Sequence, residues 1–253
     1  ERLHSLRGMQ NVFTDFYTHG VEVRRLLDAL CGYLRGMSRG WAGVGVDAVF
    51  MTDDWGTQQA LMISPAMWRA FFKPYYQAVV DEAHRLGKQI HVHVDQKNDP
   101  DEHGTETILA IIDELGLSYP AGEPMVWLLH VISPSRYEES RFDEMARRLA
   151  AKNIGVICCP SAALSMRQLR PLRTPTGNSI ARVLELLAAG VHVRVGSDNI
   201  CDITSPAGTP DLLDEFFVLS NAIRFYDIGI LSKLAAGQAL DVADREKIRR
   251  HLE

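Results

Sequence analysis

Short runs of β-branched and other apolar residues recur along the chain, and each is followed by a helical pattern. The predicted strands are 47–52 (DAVFMT), 89–94 (QIHVHV), 126–131 (VWLLHV), 155–160 (GVICCP) and 192–197 (HVRVGS). Both faces of these runs carry apolar residues, which is typical of a parallel sheet that is covered on both sides. The pattern therefore predicts an α/β protein built from parallel strand and helix units.

Helical periodicity fills the intervals between these strands. The helix predicted at 64–86 has the clearest ends, because Ser64 can cap it, Pro65 suits its first turn and Gly87 can end it. Residues 1–44 are also predicted to be almost entirely helical. The remaining helices are predicted at about 105–115, 140–152, 178–189, 209–226 and 241–252.

The number of strands decides which architecture the pattern allows. A closed (β/α)₈ barrel needs eight strands, and the pattern provides five. We therefore predict a TIM-barrel-like sheet that is incomplete or recombined. Because an open sheet leaves strand edges that a second chain can cover, a homodimer is predicted as well.

Composition and charge restrict the class of partner. The chain has 253 residues, a net charge of -5 and no basic stripe, which predicts that it binds neither nucleic acid nor an anionic membrane. It contains no apolar run of about 20 residues, and its first ten residues lack the apolar centre of a signal peptide, so we predict a soluble, cytoplasmic protein. The four cysteines show no C-x-x-C spacing, which favours a reducing compartment and buried thiols at Cys158 and Cys159.

Polar side chains gather at the predicted carboxyl ends of the strands, where parallel α/β proteins place their functional residues. These side chains are Asp53, Asp54, His91, His93, Asp95, His130 and Asp198. Imidazole and carboxylate groups in this mixture suit zinc or a similar divalent ion, whose bound water becomes a nucleophile near neutral pH. A single histidine in a strand is more often a hydrogen-bonded core residue, and Asp is common in turns. The spacing therefore leaves a metal site and a structural interpretation both open.

Residues 91–253 contain four segments whose order resembles the second half of a cytosine-deaminase-type amidohydrolase barrel. The segments are HVDQKNDPDEHGTET, LLHVIS, CCPSAALSMRQLRPLRTPTGNSIARVLELLAAGV and VGSDNICDITSPAGTPDLLDE. The resemblance implies that His93 and His130 bind the metal and that Asp198 both binds it and transfers protons. Gln96 stands where these deaminases use a glutamate to protonate the substrate ring. A glutamine cannot exchange a proton in this way, so its implied role is to orient the substrate, and cytosine itself is disfavoured.

Residues 1–90 resemble a different family. The segment GVDAVFMTDDWGTQQALMISPAMWRAFFKPYYQAVVDEAHRLGK is similar to the uroporphyrinogen decarboxylase and cobalamin-dependent methyltransferase superfamily, which also has a (β/α)₈ barrel. The resemblance implies that the DDWG loop, with Asp53 and Asp54, lies at the active-site face. Methyltransferase members continue with a strand that ends in His-x-Cys, and here the same register gives His93 and Asp95.

The two resemblances meet at QIHVHVDQ. The chain thus resembles a chimera of two barrel fragments, 1–90 and 91–253, which we predict form one structural domain. Whether the join is natural or engineered stays open. The His-x-His pair that amidohydrolases take from their first barrel strand has no counterpart before residue 90. Three ligands from the second fragment therefore remain, and Asp53 or Asp54 is a hypothetical fourth.

Three functions follow from these resemblances. The first is hydrolysis of a C–N bond in a cyclic amide, amidine or nucleobase-like small molecule, dependent on zinc or iron, with His91 and Asp95 among the substrate contacts. The second is a recombined or engineered barrel scaffold without catalytic activity. The third is a uroporphyrinogen-decarboxylase-like lyase or methyltransferase that uses the DDWG loop. We favour the first because most of the chain carries that resemblance, and we leave open whether the site is active.

Overall fold

The computed structural model describes residues 2–46, 61–165, 179–202 and 205–253. The chain divides into two compact units, Glu1–Ile90 and His91–Glu253. The strand predicted at 47–52 lies outside the described residues. None of the helices in the described part of the chain combines the length and the apolar character that a membrane-spanning helix requires.

The described part of the amino-terminal unit is largely helical, and the prediction that residues 1–44 are almost entirely helical is confirmed. Its helices are α1 (Arg2–Arg7), α2 (Met9–Thr18), α3 (Gly20–Gly43), α4 (Pro65–Phe71) and α5 (Lys73–Arg85). The single helix predicted at 64–86 is divided at Phe72. Pro74, in the first turn of α5, has no backbone N–H to donate, and its ring is incompatible with an uninterrupted helix. Ser64 caps α4 as predicted, with its hydroxyl oxygen accepting a hydrogen bond from Met67 N at 3.2 Å.

Three phenylalanine rings meet in the core of this unit. The ring of Phe16 lies 5.2 Å from that of Phe71 and 5.6 Å from that of Phe72, measured between centroids. The buried members of the core are Leu3, Val12, Phe16, Val23, Leu27, Ile63 and Phe72. These buried residues come from α1, α2 and α3, from the segment before α4 and from the junction of α4 and α5, and partly buried side chains of α4 and α5 pack against them.

The carboxy-terminal unit is built on a four-stranded sheet with the order β1-β2-β3-β4. The strands are β1 (Ile90–Val94), β2 (Val126–His130), β3 (Ile154–Cys158) and β4 (Val193–Val195). Strands β2 and β3 pair in parallel with Val126 opposite Ile154, and β3 and β4 pair in parallel with Val156 opposite Val193. Four of the five predicted strands, and the α/β class with parallel strands, are therefore confirmed.

Seven α-helices and one 3₁₀ turn accompany the described sheet. They are α6 (Gly104–Glu114), the 3₁₀ turn Ser133–Arg136, α7 (Glu139–Ala151), α8 (Pro160–Ser165), α9 (Val183–Ala189), α10 (Leu212–Ile223), α11 (Ile228–Ala235) and α12 (Val242–Leu252). The sequence pattern missed α8 and α11. The helix predicted at 209–226 ends earlier, because Arg224 adopts a left-handed conformation with φ 54°. Asp227 then caps α11 by accepting a hydrogen bond from Ile230 N at 3.0 Å.

The core of this unit centres on β2 and β3. Leu128 and Val156 are fully buried in adjacent strands. Trp127 lies opposite Gly155, and a Cβ atom at that glycine would overlap the indole ring. Glycine therefore lets the largest buried side chain of this core cross the neighbouring strand. Cys158 and Cys159 are buried free thiols, as predicted.

Candidate functional site

Two histidines meet at the carboxyl ends of β1 and β2. The Nδ1 atom of His93 lies 3.0 Å from the Nε2 atom of His130, and the ring planes are inclined by 57°. At this distance one nitrogen donates a proton and the other accepts it. The two side chains come together because β1 and β2 are neighbours in the sheet and both histidines lie near the ends of their strands.

His130 is almost completely buried, with 1% of its surface exposed. Its Nδ1 atom is also buried and has no hydrogen-bond partner among the described residues. Burial lowers the pKa of His130 to about 4, Asp198 opposes this shift through its negative charge, and His93 adds to it. His130 is therefore neutral at physiological pH. Neutral imidazole is the form that accepts protons and binds metal ions.

Asp198 lies beyond the carboxyl end of β4 and is partly exposed. Its charge acts on His130, and it also contributes, after burial and Cys158, to raising the pKa of the Cys159 thiol. The structure thus brings Asp198 into electrostatic range of the histidine pair. No hydrogen bond between Asp198 and either histidine is seen in the described residues.

Backbone strain accompanies these strand ends. Asp95, His130, Val131 and Asp198 have positive φ values of 51°, 77°, 48° and 59°. Non-glycine residues in this region cost roughly 1 kcal/mol or more each and cluster at functional sites. The strain therefore coincides with the ends of the three strands that carry the predicted ligands.

The carboxylate of Asp95 is buried and caps α6. Its Oδ1 accepts a hydrogen bond from Gly104 N at 2.6 Å and its Oδ2 accepts one from Thr105 N at 2.8 Å. A Cβ atom at position 104 would lie 2.9 Å from Oδ1, which explains the glycine. Both carboxylate oxygens are thus engaged with the backbone, and the predicted contact of Asp95 with a substrate stays a prediction.

His91 and Gln96 flank His93 along the chain. His91 is exposed and lies two residues before His93, so both side chains are on the same face of β1. Partial desolvation lowers the pKa of His91, and the charges of Arg194 and His93 lower it further. Gln96 follows Asp95 and is partly exposed. Asp53 and Asp54 lie outside the described residues.

The histidine pair has a spacing that suits a metal ion. Two nitrogen ligands at about 2.0–2.1 Å from zinc lie roughly 3 Å apart, close to the separation in this pair. Catalytic zinc normally takes three protein ligands. Within residues 2–46, 61–165, 179–202 and 205–253, no group of three His, Cys, Asp or Glu side chains is arranged to hold a metal ion. The described residues therefore do not form a complete metal site.

A polar network next to the site was not predicted from the sequence. The hydroxyl of Ser179 donates to Asn98 Oδ1 at 2.7 Å and lies 2.6 Å from the hydroxyl of Ser135. The fully buried hydroxyl of Ser133 donates to Glu102 Oε2 at 2.6 Å. These bonds connect the loop after β1 with the turn after β2. The sequence contains polar residues soon after two predicted strands, in NDPDE and ISPS, and this pattern could have indicated the network.

Comparison with known proteins gives two different kinds of relative. The family model for uroporphyrinogen decarboxylase (URO-D) matches residues 4–118. The match continues past residue 90 and includes β1 and α6. No curated protein matches the chain.

The solved structures similar to this chain include 5-methylcytosine deaminase from Klebsiella pneumoniae. Liganded with 5-fluorocytosine, it has a TM-score of 0.52 and 22% identity over 69% of this chain and 47% of that chain. The same enzyme liganded with phosphonocytosine has a TM-score of 0.52 and 22% identity, over 70% of this chain and 48% of that one. The chain shares part of the fold of this enzyme. It spans about half the length of the relative it matches, and both predicted resemblances are confirmed.

Proposed function

We propose that the chain is a hydrolase of the amidohydrolase type, which cleaves a C–N bond in a cyclic amide, amidine or nucleobase-like small molecule. In this proposal His93 and His130 are ligands of a divalent ion, zinc or iron. Asp198 completes the binding site and accepts a proton. Gln96 orients the substrate by hydrogen bonding, and the remaining substrate contacts are Asp53, Asp54, His91 and Asp95.

The observation that carries this proposal is the contact of 3.0 Å between His93 and His130. The burial of His130 keeps it neutral, and its Nδ1 atom has no partner among the described residues. An ion held by the pair would be bound through His130 Nε2 and His93 Nδ1, the two nitrogens that face each other, and a neutral His130 with its proton on Nδ1 presents a lone pair on Nε2. The fold likeness to a 5-methylcytosine deaminase supports a nucleobase-like substrate.

A scaffold without catalytic activity is the second candidate. It is favoured by the lack of a three-ligand group in the part of the chain that the structure describes. Gln96 favours it as well, because a glutamine cannot transfer the proton that deamination of a pyrimidine ring requires.

A lyase or methyltransferase related to uroporphyrinogen decarboxylase is a third candidate. The family match at residues 4–118 supports it. Its candidate residues, Asp53 and Asp54, lie outside the described residues. A requirement for a porphyrin or corrinoid substrate would favour this candidate over the hydrolase.

Metal content after reconstitution tests the first proposal against the second. The wild-type protein is incubated with Zn²⁺ or Fe²⁺, passed through a desalting column and analysed for bound metal. We expect about one ion per chain in the wild type and none in His93→Ala with His130→Ala. The control variant, His19→Ala with His103→Ala, removes two exposed histidines and should keep its metal. A metal-free wild type would contradict the hydrolase and favour the scaffold.

An activity measurement tests proton transfer by Asp198 separately from metal binding by the histidines. Ammonia release is measured with a panel of cyclic amides and nucleobases. If Asp198 accepts the proton, Asp198→Asn should lower the rate by about 10²-fold to 10⁴-fold. Full activity of this variant would contradict the proton-transfer role, whatever its metal content.

A further inference from the structure

A cleft in the carboxy-terminal unit is formed by residues other than the histidine pair. It is lined by residues 224–227, which connect α10 to α11, and by Lys247, Arg250 and His251 of α12. We call it the basic cleft. It is a shallow depression that is largely open to solvent, with a volume of about 560 Å³.

Local structure explains why these side chains converge. Arg224 ends α10 in a left-handed conformation, which turns the chain towards α11. Arg250 and His251 follow Lys247 by three and four positions, so each lies next to Lys247 on the surface of α12. Phe225 is buried and packs edge-on against the ring of His251, with the centroids 5.0 Å apart. This contact joins the connecting segment to the basic face of α12.

The basic cleft has more positive than negative charge. Asp227 is the carboxylate in its lining, and it is already engaged. One of its oxygens accepts the Ile230 N–H at 3.0 Å and the other lies 3.6 Å from Lys247 Nζ. Among the described residues, Arg224 and Arg250 form no ion pair with a carboxylate. Two guanidinium groups therefore remain uncompensated in a chain whose net charge is -5.

An exposed aromatic ring adjoins these cations. Tyr226 is 62% exposed and lines the cleft. Its ring offers a flat surface on which another planar ring can stack. Arginine binds phosphate through paired hydrogen bonds and also stacks on aromatic rings.

We propose that the basic cleft binds a phosphate ester of a planar aromatic compound, of the size of a mononucleotide. The phosphate contacts Arg224 and Arg250, and the ring stacks on Tyr226. The volume of the cleft and its few cations fit one small anion better than a polyanion, and the acidic net charge of the chain agrees with this. The proposal does not depend on the histidine pair.

Calorimetric titration of the whole protein tests the proposal with three probes: AMP, inorganic phosphate and adenosine. We expect AMP to bind with a dissociation constant below about 1 mM. Phosphate and adenosine should each bind at least about tenfold more weakly than AMP. Phosphate lacks the ring that stacks on Tyr226, and adenosine lacks the phosphate that contacts the arginines. Raising the salt concentration should weaken AMP binding, because the contact with phosphate is electrostatic.

Two variants locate the site. Arg224→Gln with Arg250→Gln should weaken AMP binding about tenfold or more. Tyr226→Ala should weaken AMP binding and leave phosphate binding unchanged. The control, Arg69→Gln with Arg147→Gln, removes two exposed arginines outside the cleft and should bind AMP like the wild type. Circular dichroism and the unfolding midpoint verify that each variant is folded.

Three results would overturn the proposal. The first is the absence of AMP binding by the wild type at about 10 mM, a concentration far above that of a specific site. The second is wild-type affinity in a folded variant that lacks both Arg224 and Arg250. The third is equal affinity for AMP and inorganic phosphate, since the aromatic ring would then make no contribution.

Discussion

The carboxylate of Asp95 accepts hydrogen bonds from the first two backbone amides of α6, at 2.6 Å and 2.8 Å. The carbonyl oxygen of the same residue accepts bonds from Ile132 N at 2.9 Å and Ser133 N at 3.0 Å. One residue therefore fixes both the start of α6 and the turn after β2. His93 and His130 lie within two residues of these contacts, so their geometry depends on Asp95.

Replacing Asp95 by alanine should lower the free energy of unfolding by about 2–4 kcal/mol, because two buried amides lose a charged acceptor. Urea unfolding measures this loss. Asp211→Ala is the matched control: its exposed carboxylate caps α10 through one bond of 2.9 Å to Leu213 N, and its loss should cost about 1 kcal/mol or less. Wild-type stability of Asp95→Ala combined with lost substrate binding would instead assign Asp95 to the substrate.

The histidine pair was only partly predictable. Alternation along β1 and the strand-end position of His130 predict that both imidazoles lie at one edge of a parallel sheet. The sequence does not reveal that the rings bond to each other at 3.0 Å. That contact accompanies the positive φ of His130, 77°, which depends on tertiary structure. Local patterns therefore predict the position of a side chain along the strand but not its partner.

Helices α3 and α5 are joined by a buried carboxylate. Glu82 is 2% exposed, and its Oε2 accepts bonds from Arg35 at 3.0 Å and Arg39 at 3.3 Å. Arg85 pairs with the other oxygen. The bond from Arg85 and the one from Arg35 hold the pKa of Glu82 below its ordinary value of 4.5, although burial opposes this.

The lowered pKa of Glu82 predicts that this link is sensitive to acid. As the pH falls, Glu82 is protonated in the unfolded chain before it is protonated in the folded protein. Its contribution to stability is therefore full above about pH 4.5 and is lost as the pH falls through the folded pKa. Glu82→Gln should be less stable than the wild type at pH 7, and the difference should narrow below about pH 4.

Unfolding by urea at several pH values tests this expectation. Asp81→Asn provides the control, since it removes an exposed carboxylate from the neighbouring position of α5. Its stability should follow that of the wild type across the whole pH range. Parallel pH profiles for the wild type and Glu82→Gln would contradict the acid-sensitive link.

The elements of the fold were more predictable than their ends. Helix α12 has a capping box formed by Asp241 and Asp244, and the predicted start of this helix is confirmed. Helix α11 was missed because it has only eight residues and only four residues separate it from α10. A short helix offers too few turns for its periodicity to be distinguished from an apolar loop. Caps that can be read from single residues are thus better predicted than short helices.

The two units have separate hydrophobic cores. Among the described residues, the amino-terminal core contains 7 buried residues, all between Leu3 and Phe72. The carboxy-terminal core contains 30 on the same basis, all between Leu109 and Ile248. The sequence predicts that both fragments form one structural domain. Homodimerisation is a further prediction, which sedimentation at micromolar concentration can test.

Unfolding in urea should proceed in two steps, because burial of apolar surface supplies most of the stability and, in the part of the chain that the structure describes, the two cores share no buried residue. The amino-terminal unit, with the smaller core, should unfold at the lower urea concentration.

Tryptophan fluorescence can assign the two unfolding steps to the two units. Trp68→Phe should reduce the signal change of the first transition, and Trp127→Phe, which alters a buried ring beside Gly155, should reduce that of the second and lower its midpoint. A single transition, coincident by fluorescence and circular dichroism and shifted as a whole by Trp127→Phe, would contradict independent unfolding. It would mean that the two fragments stabilise each other as one cooperative domain.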